Sequence, residues 1–122
     1  MNLEGEIDKE VESVQCLEML IKMLKEHISE ANESISNIEE CLKTNDSILT
    51  KTEKEFFNRE LEELGAYKSV KESLLSIFVK HYESYKPMES DEDILYLAIL
   101  DMKNNEEHKA ICKKAHELGV FE

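Results

Sequence analysis

The chain has 122 residues, a formal charge of −13, one Pro and three Gly. An apolar share of 41% excludes a disordered polyelectrolyte, and 35% charged residues suits a helical bundle bathed in solvent. No segment is basic: residues 1–50 carry 12 acids and 4 bases, 51–87 seven of each, and 88–122 nine acids and four bases. Gripping of DNA or RNA phosphates and docking on an anionic membrane are therefore disfavoured.

The dominant pattern lies in the first half. With Ile7 at heptad position a, the a row reads Ile7, Val14, Ile21, Ile28, Ile35, Leu42 and Leu49. The d row reads Glu10, Leu17, Leu24, Ala31, Ile38 and Asn45. From Val14 to Leu42 neither row has a miss, which is the spacing of a coiled coil or long bundle helix. A helix is predicted over about 5–44, with Glu4, Glu6 and Asp8 suited to its positive N-terminal end. Its first half adds Val11, Cys16, Met19, Leu20 and Met23 off the seam, which predicts burial on several sides. Its second half is a narrow stripe through Ile28, Ala31, Ile35, Ile38 and Leu42, suited to a two-helix seam.

Thr44-Asn45-Asp46-Ser47 is the first cluster of turn formers. Thr50 or Thr52 can cap the next helix, and Thr52 with Glu55 has capping-box spacing. That helix is predicted over 53–85. Phe57, Leu61, Leu64, Phe78, Tyr82 and Tyr85 lie near one side; Phe56, Tyr67, Val70, Leu74, Ile77 and His81 widen the arc. Gly65, a weak helix former in its middle, permits a close crossing or is a tolerated weak spot. Lys86-Pro87 ends the run. Folded as an antiparallel hairpin, the two helices match wide end to wide end and narrow end to narrow end.

Ser90 with Asp93 marks the start of a helix over 91–103, whose run Ile94 to Leu100 is apolar nearly all round and reads as a short central helix. Asn105 caps a last helix over 105–118, which stops at Gly119, with Val120 and Phe121 folding back to close the end. The expected architecture is all-α, one domain over 1–122. It is a long antiparallel helical hairpin packed with two short C-terminal helices, an elongated four-helix bundle.

Chemistry-bearing patterns are few. His108, Cys112 and His116 recur every fourth residue on one helix face, and imidazole and thiolate suit zinc. Three donors along two turns span about 12 Å, too far to share one ion easily. The expected arrangement is a packed thiol between two semi-exposed rings. A di-iron bundle needs Glu-x-x-His, yet Leu24, Phe78, Asn105 and Lys113 stand three residues before His27, His81, His108 and His116. His27 and His81 fit partly exposed helix positions better than a catalytic pair. Serine and cysteine nucleophiles lack a strand-turn elbow, and there is no glycine-rich phosphate loop. No catalytic residue, metal ligand or cofactor is therefore assigned. The aromatic residues have core or interface spacing, and the acidity around Tyr82 and Tyr85 argues against base stacking.

The leading functional expectation is a non-enzymatic protein-interaction protein of adaptor, immunity or inhibitor type, acting as a homodimer. The expected interface is Ile28, Ile35, Ile38 and Leu42 with Phe56, Phe57 and Leu61. A basic foreign protein is a second possible partner. One alternative is an inhibitor that mimics nucleic acid through Glu30, Glu33, Glu39 and Glu40. Another is a small metal-binding protein using His108, Cys112 and His116. The acidic start has no apolar leader core, and an odd count of three cysteines fits reduced thiols, so a cytoplasmic setting is expected.

Overall fold

A computed structural model describes residues 17–85 and 90–120. The repeat from Ile7 to Val14, Cys16, the Lys86-Pro87 stop and Phe121 lie outside the described residues. Among the described residues four helices follow in order: α1 Leu17–Thr44, α2 Lys51–Tyr85, α3 Asp91–Asn104 and α4 Glu106–Glu117. No strand occurs among the described residues. α1 folds back along α2, and α3 and α4 dock on α2. The bundle is the expected hairpin with two short helices added, and α2 is its hub.

The d residues Leu17, Leu24 and Ala31 are buried, with Leu20 beside them. The a residues Ile21, Ile28, Ile35 and Leu42 are only half-buried. The helix is thus rotated so that one row forms the seam and the other forms its flank. Met19 is 60% exposed, so the first half of α1 is less enclosed than its off-seam apolar residues imply.

The core collects at the wide end. Leu17, Leu20 and Leu24 of α1 meet Val70, Leu74, Ile77 and Phe78 of α2, Ile94, Ala98 and Met102 of α3, and Ala115 of α4. Each large apolar side chain removed from water there contributes roughly 1.5–3 kcal/mol. A hydrogen bond from the Tyr82 hydroxyl to the Glu18 carboxylate pins the start of α1 beside the end of α2. α3 buries one stripe at four-residue spacing, Ile94, Ala98 and Met102, while Tyr96 is 64% and Leu100 40% exposed. It is a one-sided helix rather than the central, fully enclosed one its composition implies. Four-residue spacing selects a face even within an apolar run.

The ends of the helices follow their local chemistry. Asn45 leads the first turn: its backbone N–H donates to Cys41 O at 3.0 Å and its side-chain amide to the same oxygen at 3.1 Å. α2 opens on a reciprocal capping box at Thr50, not Thr52. Glu53 N–H donates to Thr50 Oγ1 at 3.1 Å, and Thr50 N–H donates to Glu53 Oε1 at 3.2 Å. The tighter turn leaves Thr52 inside the first helical turn, and α2 begins earlier than expected. Ser90 caps α3 through Asp93 N–H, and Asn105 caps α4 through His108 N–H at 2.9 Å. Gly119 has φ 75°. Val120 N–H donates to Ala115 O and Gly119 N–H to His116 O, closing α4 in a Schellman motif.

Candidate functional site

The hairpin has an end where nothing is buried. From residue 32 to residue 65, through the rest of α1, the turn and the first half of α2, no side chain falls below the surface. This two-helix finger carries all the expected interface residues except Ile28, which lies just before it. Ile28, Ile35, Ile38, Leu42, Phe57 and Leu61 are half-buried, and Phe56 is 59% exposed. Ile48 at the tip is 74% exposed. The Phe56 and Phe57 rings meet edge to face with centroids 5.6 Å apart.

Polar restraints hold the finger's shape without covering this surface. Lys54 pairs with Asp46 at 3.0 Å across the turn, and Arg59 with Glu63 at 3.2 Å along α2. Residues 32–65 hold nine acids and four bases, so the apolar stripe is rimmed by negative charge. Glu30, Glu33, Glu39 and Glu40 are all exposed.

A second constellation sits at the wide end, between α2 and α4. His108 is 3% exposed. Its Nδ1 lies 2.7 Å from Ser73 Oγ of α2, and its Nε2 lies 3.3 Å from Cys112 Sγ one turn along α4. Both ring nitrogens are thus engaged, while Asn105 caps the backbone of the same residue. Burial pushes the His108 imidazole below its usual pKa, and the nearby charge of Asp101 pulls partly in the opposite direction. The neutral ring is favoured, so one nitrogen donates and the other accepts.

His116, the third member of the spaced set, is exposed on α4 and takes no part in this chain of contacts. Among the described residues no three potential donors gather as a metal site. His108 is buried rather than semi-exposed, because its position on α4 turns it toward α2 beside Ala115. His81 Nε2–H donates to Asp101 Oδ2 at 2.8 Å, tying α2 to α3. The buried Nδ1 of His27 makes no hydrogen bond. Asp101 and Ser73 were not legible as partners, since each contact crosses between helices. The one local hint is the spacing of Ser69, Ser73 and Ser76, small side chains on one side of α2.

A groove of about 610 Å³ runs between α2 and α4, lined by Glu62, Gly65, Ala66, Ser69, Ile111 and Lys114 among others. A neighbouring recess of about 340 Å³ includes Ser73, Asn105 and Ile111. Gly65 does not serve a close crossing, because a Cβ there would meet nothing within 4 Å.

Comparison with protein-family models, with curated proteins and with solved structures finds no match to this chain. No helix among the described residues is long and apolar enough to cross a membrane.

Proposed function

We propose that this is a non-enzymatic protein-interaction protein whose finger docks against a second copy of itself. The observation that carries the reading is the flank of α1. The a-row residues Ile28, Ile35 and Leu42 repeat at seven-residue spacing and stay half-buried beside exposed Phe56. Such a ridge is regular enough to be self-complementary about a twofold axis, as a homodimer contact requires. Leucine and isoleucine in a seven-residue row favour knobs-into-holes packing against another helix. An adaptor, immunity or inhibitor role is then carried by the paired fingers, in a cytoplasmic setting where thiols such as that of Cys41 stay reduced.

Charge supplies the discriminating test. Two acidic fingers repel, so a self-dimer tightens as salt screens the rims. A basic foreign partner would bind more weakly under the same change. Sedimentation of the full chain at low and high salt is expected to show a dimer whose population rises with salt, and Ile35→Glu or Ile38→Glu is expected to abolish it. A monomer at every concentration and salt level would sink the homodimer reading.

A further inference from the structure

We infer that Cys112 is a reactive thiol that hydroperoxides oxidise, with His108 as its base and Ser73 as the residue that positions that base. The arrangement has three parts, each with its own geometry. The nucleophile Cys112 is half-buried and keeps part of its surface. Its Sγ is 3.3 Å from His108 Nε2, which is hydrogen-bond reach for sulfur. The other ring nitrogen is held at 2.7 Å by Ser73 Oγ on the facing helix, so the ring cannot swing away. A nucleophile, a base within reach and a third group that orients the base form the general signature of an activated side chain.

The chemistry follows from the state of the ring. Burial pushes the His108 pKa below its usual value, which favours the neutral ring that can accept a proton. In the tautomer with Nδ1–H donated to Ser73 Oγ, the lone pair of Nε2 faces the thiol. As Cys112 Sγ attacks the distal oxygen of a hydroperoxide, the S–O bond forms and the O–O bond breaks. The thiol proton passes to Nε2 and on to the departing alkoxide, which leaves as the alcohol. Sulfur loses two electrons to become sulfenic acid, and the peroxide gains them. While Nε2 carries the proton, the nearby charge of Asp101 stabilises the imidazolium. The site lies on the opposite half of the molecule from the finger, where Cys41 sits beside Asn45 at the turn. Cys41 therefore serves as an internal reference thiol.

The experiment labels the intact wild-type chain with iodoacetamide, and separately with hydrogen peroxide plus a sulfenic-acid trap, from pH 6 to 8. Site-resolved mass spectrometry reads each cysteine, with glutathione as the free-thiol standard. Cys112 is expected to react about tenfold faster than Cys41 at pH 7. Its rate should also fall more shallowly with decreasing pH than that of glutathione, because burial favours the neutral base. His108→Gln is expected to remove the advantage, and Ser73→Ala to reduce it several-fold with helicity retained. A wild-type Cys112 that reacts no faster than Cys41, with the steep pH dependence of glutathione, overturns the inference without requiring any variant to fold. Dimer formation is a separate readout and does not enter this result.

Discussion

Replacing Gly65 by alanine isolates a backbone effect from every packing effect. Gly65 stands near the middle of the 35-residue α2. Glycine inside a helix is less favourable than alanine by about 1 kcal/mol, because the unfolded chain loses more freedom at glycine. The usual objection to such a change is a clash, and here there is none: a Cβ would meet nothing within 4 Å. The methyl group would point into the α2–α4 groove and add at most a few tenths of a kcal/mol of burial. Gly65→Ala should therefore stabilise the chain by about 1 kcal/mol, raising Tm by roughly 3–6 °C for a domain of this size. Urea and thermal unfolding followed by circular dichroism at several protein concentrations would measure it. A destabilised variant would refute the reasoning, since it would mean that the groove closes and the helices touch at this position.

Two further outcomes follow from the caps and the buried histidine. Thr50→Ala should cost about 1 kcal/mol through loss of the α2 cap, while Thr52→Ala should stay within about 0.5 kcal/mol; equal losses in urea unfolding would contradict the Thr50–Glu53 box. His108 has a folded pKa below its unfolded value, so the unfolded chain takes up the proton first as pH falls. Its contribution to stability is complete above about pH 6.5 and is lost as pH drops from there through the lower folded value. Urea midpoints at pH 7.5 and 5.5 should therefore differ more for the wild type than for His108→Gln, and an unchanged difference would place the proton uptake elsewhere.

What was legible depended on whether a contact is local. The heptad from Val14 to Leu42 and the turn at Asn45 announce a long hairpin, because periodicity and turn chemistry are written in consecutive residues. The caps at Ser90 and Asn105 and the stop at Gly119 were readable for the same reason. The orientation of α1 was not. Both rows are apolar, and only packing against Val70, Leu74 and Phe78 decides that Leu17 and Leu24 are buried while Ile21 and Ile28 form the flank. The same limit applies at the thiol site. The spacing of His108, Cys112 and His116 singled out the face of α4, yet the partner that fixes the ring is Ser73, 35 residues away on α2. His116 shares the periodicity but not the neighbour, so spacing alone drew the wrong third member into the set.

The contrast between the two ends bears on where a partner has the most to contribute. The wide end is held by an apolar core from all four described helices, with part-buried hydrogen bonds crossing between them. The finger is held by a capping box, the Asn45 hydrogen bonds to Cys41 O, ion pairs that are largely exposed and a half-buried seam. Exposed ion pairs contribute about 0–1 kcal/mol each. Ordering the backbone costs roughly 1–2 kcal/mol per residue. The half-buried seam residue Ile38 and the flank of Ile35 and Leu42 must therefore offset most of that cost while still partly exposed. Covering that flank with a second helix buries Ile35, Leu42 and Phe56 where the chain's own packing is thinnest. Association and finger stability are then the same free energy seen from two directions. Under the proposed pairing, Ile35→Glu is expected to act mainly on association, because a half-exposed carboxylate is tolerated in the monomer and not in a closed seam. Oxidation at Cys112 acts on the α2–α4 contact instead, through the hydrogen bonds of His108. The two sites lie toward different ends of the bundle, so their effects on stability should add.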